Sequence, residues 1–349
     1  MFCLAKLWIT AIRVNRRNPW SLFAGRWVRI CESAVVRLRP DQTEPGQGAG
    51  ACPSDPPDRD SWYTAKRRAS SLSGRFQAGA GPSGGASRAS DTNERRNRMK
   101  DFAGKVVWMT GAGTGIGKAG ALMFARGGAA VALLGRRRDK LEEVAAEIAS
   151  FGGTSVAEPL DVADRGKTRT VAAALIERFG RVDVLVNNAG LNIVNRRLDE
   201  ITPEDWDRIL GANLTGAFNM VQAALPTMRA QQDGLIINVA STAARRVSGV
   251  SGIGYSASKF GMLGMSLSLT QEAWKFGIRA CCLCPDDVNT PIMARRKIKY
   301  PPEVLAQFIQ PEDVADTMRF VALMPKNTSI PEMVITPTNV RPYTPAETG

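Results

Sequence analysis

The sequence predicts an α/β fold, a doubly wound seven-stranded parallel sheet, and three observations predict it. From Met99 onward, short apolar runs alternate with helical patterns across short connections, the arrangement of a parallel sheet with helices on both faces. Residues 106–117 are an apolar run ending in four alternate glycines, with an alanine-rich helical pattern directly after it. That is a strand, a tight turn and a helix start. Residues 182–186 are apolar apart from Asp183, close to what a strand buried on both faces should be.

In chain order, residues 105–110 form the first strand and 116–126 its helix. Residues 130–134 follow as the second strand and 139–150 as an amphipathic helix. The third strand spans 154–160 and its helix 164–179; the fourth strand is 182–186. A long helix is predicted over 203–228, with Pro203 near its start, where a missing N–H does no harm. The fifth strand is 235–239, a second long helix covers 255–276, and the sixth strand is 278–283. Residues 312–323 and 333–335 supply the last helix and strand. Open sheets of this kind bind ligands at the carboxyl ends of their strands.

Every candidate functional group falls at one of those ends. Glycine lets a backbone turn sharply and approach a ligand, and the helix start behind it favours a phosphate or pyrophosphate. A tight turn with no ligand gives the same local pattern. The second strand ends in Gly135-Arg136-Arg137-Arg138, where a dinucleotide-binding protein reads the adenosine ribose. No acid is present to accept from a 2′-hydroxyl; guanidinium groups there pair with a 2′-phosphate, or simply form a solvated basic start to a helix. Asp161-Val162, Asn188-Ala189-Gly190 and Ser241 close the third, fourth and fifth strands. Tyr255 and Lys259 are four residues apart, so a helix projects them side by side. A cation beside a phenol favours phenolate and lowers its pKa towards working pH, which suits acid–base chemistry.

Composition excludes several alternatives. The chain has no histidine, so Ser-His-Asp and Cys-His nucleophilic machinery and His-liganded metal sites are ruled out. Cys281, Cys282 and Cys284 lie in one apolar run and read as buried thiols rather than a metal site. Residues 1–98 carry 17 Lys and Arg against 8 Asp and Glu, so most of the net charge of +13 lies there. Rich in Pro, Gly and Ser, that segment is expected to be a disordered basic extension. It reads as a presequence, as a basic tail, or as a stretch missing from the mature protein, the favoured reading because Met99 looks like a natural start. A catalytic domain over 99–349 is expected in the cytoplasm, or in an organelle if the extension is a presequence. Neither nucleic-acid nor membrane binding is expected.

Taken together, Thr110-Gly111-(x)3-Gly115-Ile116-Gly117, Asn187-Asn188-Ala189-Gly190, Asn213, Ser241 and Tyr255-(x)3-Lys259 resemble the classical short-chain dehydrogenase/reductase (SDR) family from Met99 to about Thr338. The resemblance implies a single-domain Rossmann-type oxidoreductase moving hydride between a nicotinamide and a carbonyl/alcohol pair, with no metal. It implies that Tyr255 is the acid/base, that Lys259 lowers its pKa and holds the nicotinamide ribose, and that Ser241 bonds the substrate oxygen. Asn213 would hold a water in the proton relay. Gly111, Gly115, Ile116 and Gly117 would cradle the pyrophosphate, Gly113 being incidental. Asp161 and Val162 would meet the adenine, Asn188, Ala189 and Gly190 would line the groove, and Pro285 and Thr290 would lie at the nicotinamide. Homodimers or homotetramers formed through the two long helices are expected.

The sequence departs from the family pattern at three places. Thr114 stands where many NADP-dependent members carry a base, so NADP(H) preference would rest on Arg136 and Arg137, with NAD(H) possible. Asp286 replaces the usual glycine after Pro285. The loop before Tyr255 carries Arg245 and Arg246, which with Asn195-Arg196-Arg197 either favour an anionic substrate or sit solvated at a rim. Residues 290–310 are expected to be mobile and, with these loops, to set the substrate. A dinucleotide-binding scaffold without catalysis, or an epimerase or dehydratase retaining its cofactor, are the competing functions.

Overall fold

The computed structural model describes residues 101–297 and 299–338; the expectations for residues 1–98 lie outside these. Seven parallel strands form one sheet in the order β3-β2-β1-β4-β5-β6-β7. They are β1 (Val106–Thr110), β2 (Ala130–Gly135), β3 (Thr154–Pro159), β4 (Val184–Asn187), β5 (Gly234–Val239), β6 (Ile278–Pro285) and β7 (Glu332–Ile335). The winding reverses between β1 and β4, where Trp108 pairs with Ala132 on one side and Leu185 on the other. That reversal opens the crevice in which such folds bind ligands.

The strands are apolar on both faces because both faces are covered. Helices α1 (Gly115–Arg126) and α2 (Arg138–Ser150) pack on the side of Val107, Met109, Val131 and Leu133. The opposite side, with Trp108, Leu134, Leu185 and Ile236, receives α3 (Arg165–Phe179) and the helix bearing Met220 and Met228. At the far end from the crevice, Asp183 binds Arg181 twice (2.8 and 2.6 Å), Lys105 at 2.9 Å and the Val106 backbone N–H at 2.9 Å. Burial pushes the Asp183 carboxyl upward, but the bonds from Arg181 and Lys105 outweigh it and hold the group below its ordinary value.

One predicted helix is wrong in detail. Residues 203–228 were expected as a single helix; they form α4 (Pro203–Leu210), a π-helical turn (Gly211–Thr215) and α5 (Gly216–Gln231). The wide turn carries Asn213, whose carboxamide bonds the backbone of Leu191 in both directions (2.7 and 3.0 Å). A helix interior offers no such outward reach, and π-turns of this kind recur at functional sites. The second long helix, α6 (Ile253–Ala273), and the last one, α8 (Pro311–Ala322), match expectation. Residues 290–310 fold as a 3₁₀ turn (Pro291–Arg295) and a short helix α7 (Pro302–Leu305), tied back by a bridge between Val288 and Ile309.

Candidate active site

The glycine turn after β1 is stitched to the end of β4. Thr110 Oγ1 donates to the Val186 carbonyl at 3.1 Å and accepts from the N–H groups of Asn188 and Ala189 (2.9 and 3.0 Å). Asn188 Nδ2 returns a bond to the Thr110 carbonyl at 3.0 Å. A Cβ on Gly117 would lie 2.1 Å from the Gly111 carbonyl oxygen, so this helix cannot dock under the turn with any other residue. Gly113 corrects the sequence reading. A Cβ there would stand 2.9 Å from Lys140 Cβ on α2, so it is a required close approach and not an incidental glycine.

Above the turn runs a cleft of about 430 Å³. Of the residues named for cofactor contact, Gly111, Gly115, Ile116, Arg136, Arg137, Asp161, Val162, Asn188, Ala189, Gly190 and Thr290 all line it. Gly117 lies beneath it. Arg137 Nη2 is 3.5 Å from Thr114 Oγ1, so Thr114 faces the basic end of the cleft. No side chain caps α1 at Thr114, which leaves the helix's first N–H donors and positive pole for a ligand. A narrow floor without side chains, free N–H donors and guanidinium groups at one end suit a dinucleotide phosphate chain.

A second cavity of about 640 Å³ shares Ile116, Asn188, Thr290 and Ile292 with the first and is walled by Ser241, Tyr255, Lys259 and Pro285. Lys259 is 4% exposed, and its ammonium lies 5.5 Å from the Tyr255 ring centroid. Burial pulls that ammonium down to about 8. Burial also holds the half-buried Tyr255 above the ordinary phenol value; a hydrogen bond with Ser241 and then the charges of Arg296 and Arg196 pull it back. The sequence reading gave that lowering to Lys259. In the folded chain the hydrogen bond with Ser241 is the largest lowering contribution, followed by Arg296 and Arg196.

Asn213 lines neither cavity. It is fully buried, and both its amide hydrogens are used, one on Leu191 and one on Ser258 Oγ at 3.0 Å. Ser258 in turn donates to the Tyr255 carbonyl at 2.7 Å, so Asn213 ties the π-turn to the tyrosine helix. Asp286 turns its carboxylate onto Thr242 Oγ1 and Arg246 Nη2, both at 2.9 Å. Sequence reasoning missed Arg296 and Asp287, paired at 2.5 Å in the wall of this cavity. No local pattern announces them, because 10 residues or fewer of irregular chain bring them together only after the loop has folded. Cys281, Cys282 and Cys284 are buried thiols, with the sulfurs of Cys282 and Cys284 3.7 Å apart.

A Rossmann sheet carrying Ser, Tyr and Lys in one cavity beside a glycine cleft has a counterpart among known proteins. Residues 105–300 match the model of the short chain dehydrogenase family. The chain belongs to the short-chain dehydrogenase/reductase family. It is an NAD(P)-dependent oxidoreductase interconverting CH–OH and C=O groups. Among curated relatives, the 3-oxoacyl-(acyl-carrier-protein) reductase FabG of Thermotoga maritima is 35% identical over 228 residues, 63% of this chain and 90% of that protein. An uncharacterized oxidoreductase of Staphylococcus aureus is 32% identical over 68% of this SDR and all of its own length. Among solved structures, a metagenomic short-chain oxidoreductase in complex with NADP superposes with a TM-score of 0.60 at 30% identity, over 68% of this chain and 99% of its own. An alcohol dehydrogenase of the archaeon Thermococcus sibiricus, complexed with 5-hydroxy-NADP, gives 0.62 at 30%, over 69% and 99%.

Proposed function

We propose that this SDR is an NADP(H)-preferring reductase or dehydrogenase acting on a small-molecule carbonyl or secondary alcohol, with its catalytic domain running from residue 99. The observation that carries the reading is the convergence of Ser241, Tyr255 and Lys259 in a cavity that shares four lining residues with the glycine cleft. The nicotinamide cofactor supplies the hydride. Arg136 and Arg137 would hold its 2′-phosphate by charge-assisted bonds, and Gly111 through Gly117 its pyrophosphate. Asp161 and Val162 would contact its adenine, and Pro285 and Thr290 its nicotinamide. Lys259 holds the adjoining ribose.

Ser241 orients the substrate oxygen, and Tyr255 gives it a proton during reduction or takes one during oxidation. Asn213 acts by fixing the π-turn and by offering its backbone to a relay water, since its side-chain amide is already engaged. Tyr255→Phe should abolish turnover, followed by reduced-nicotinamide absorbance, while NADPH binding persists; retained turnover would refute the role. An inactive scaffold is disfavoured by the intact Ser-Tyr-Lys group. Homodimers or homotetramers fit the apolar side chains left exposed on the long helices, Phe218 on α5 and Phe260 and Leu267 on α6. No helix among the described residues is long and apolar enough to cross a membrane.

A further inference from the structure

The loop arginines do not share one fate. Arg245 pairs with Glu332 (2.6 Å), Arg246 with Asp286 (2.9 Å), Arg197 with Asp199 (3.3 Å) and Arg296 with Asp287 (2.5 Å). Arg196 pairs with no carboxylate among the described residues. It is 8% exposed and walls the cavity that holds Tyr255. Its guanidinium donates to two carbonyl oxygens, Val250 at 2.9 Å and Arg295 at 2.5 Å. A guanidinium has five N–H donors, so most of its capacity is left over.

Those two bonds clasp the loop before α6 to the segment after β6, which is a structural task. It does not require a charge. A neutral amide could donate to two carbonyls without the several kcal/mol that a buried, unpaired cation costs. The contrast with Arg296 is direct: burial lowers both guanidinium pKa values, but only Arg296 has a carboxylate that more than restores it. Arg196 instead also feels the repulsion of Arg296. The chain is nevertheless shaped to keep it there. Gly252 holds φ at +78°, and a Cβ on it would lie 2.6 Å from Arg196 Cβ, so the turn three residues before Tyr255 is built over the arginine stem.

Counting the groups that face the cavity, Arg196, Arg246, Arg296 and Lys259 stand against Asp286 and Asp287 alone. We propose that the missing anion is the substrate's: a carbonyl or hydroxy compound bearing a carboxylate, which Arg196 receives while Tyr255 serves the reacting oxygen. This rests on the oxidoreductase reading and narrows its substrate class. A carboxylate matches the planar fork of a guanidinium, and its arrival relieves the charge that folding leaves uncompensated.

The test is a set of straight-chain oxo acids, each paired with its primary amide, assayed with NADPH on the wild type, Arg196→Gln and Arg196→Lys. The wild type should prefer the acid by ~10-fold or more in kcat/KM, the equivalent of one paired charge. In Arg196→Gln that ratio should fall to about one, with the loss on the acid arm and mainly in KM, and Arg196→Lys should restore part of it. Amides turned over as well as acids by the wild type would overturn the proposal while leaving the oxidoreductase reading intact. So would an unchanged acid-to-amide ratio in Arg196→Gln, whether both arms are kept because the amide makes the clasp or both fall equally because the shorter side chain loosens it. Should that variant fail to fold, the wild-type acid-to-amide ratio decides. Acids that quench bound NADPH fluorescence in an Arg196-dependent way without being turned over would support the pocket and overturn the reaction instead.

Discussion

Lys259 Nζ donates a 2.8 Å hydrogen bond to the carbonyl oxygen of Val239, the last residue of β5. The bond fastens the tyrosine-bearing helix to the strand end that delivers Ser241, so one ammonium holds together the two elements of the proposed chemistry. It also takes that ammonium largely out of water, which sets the first prediction.

The Lys259 pKa falls from 10.5 to about 8 on folding, so the folded state binds its proton less well than the unfolded chain does. The resulting cost to stability is fully present below about pH 8 and is relieved as pH rises from there towards the unfolded value. Lys259→Met should therefore stabilise the protein by ~2 kcal/mol at pH 7, the lost bond to Val239 offsetting part of the gain. The difference from wild type should shrink at alkaline pH, read by denaturant unfolding at several pH values. A variant less stable than wild type at pH 7 would contradict this.

Asp183 has the opposite sign. Its carboxyl is held below the ordinary value, so its stabilisation is complete above the unfolded carboxyl pKa of about 3.9 and is lost as pH falls through the lower folded value. Asp183→Asn removes the carboxylate that binds Arg181 and leaves Lys105 only Asp233, 4.0 Å away, and should cost ~2–3 kcal/mol at pH 7. Unfolding free energies should converge with wild type in acid. The residue is remote from both cavities, so kcat of the folded fraction should not change.

Tyr255 couples to the arginines of its cavity. Arg296 and Arg196 favour its phenolate, and oxidation of an alcohol needs that phenolate. Removing the charge in Arg296→Gln raises the Tyr255 pKa, so the pH–rate profile for alcohol oxidation should move to higher pH. An unmoved profile would remove Arg296 from the account.

Cofactor choice should follow Arg136 and Arg137. Both line the end of the glycine cleft, and a hydrogen bond to a charged group is worth about 1.5–3 kcal/mol. The double variant to alanine should weaken NADPH by ~10–100-fold at that scale and NADH by far less. Fluorescence titration with each cofactor measures it. Equal losses would show that neither arginine reads the phosphate.

The architecture was legible because it is written in short-range signals. Apolar runs of strand length between amphipathic stretches mark a covered parallel sheet, and Gly111-(x)3-Gly115-(x)1-Gly117 marks its first turn. Tyr255 and Lys259 were legible too, since helical spacing alone puts them side by side. Less legible was anything decided by a second segment. Gly113 is required only because α2 brings Lys140 against it, and residues 203–228 break only because Asn213 finds the Leu191 backbone.

The sequence by itself determined the doubly wound sheet, the glycine cradle and the Ser-Tyr-Lys set, because each depends on spacing within one strand, turn or helix. The tertiary structure decided which charges cancel. Six loop arginines look alike in sequence, yet folding gives Arg197, Arg245, Arg246 and Arg296 carboxylate partners, leaves Arg295 exposed on the Asn192 carbonyl and buries Arg196 without a carboxylate. Electrostatic energy depends on distance and desolvation in three dimensions, and neither is fixed until the loops from β4, β5 and β6 meet.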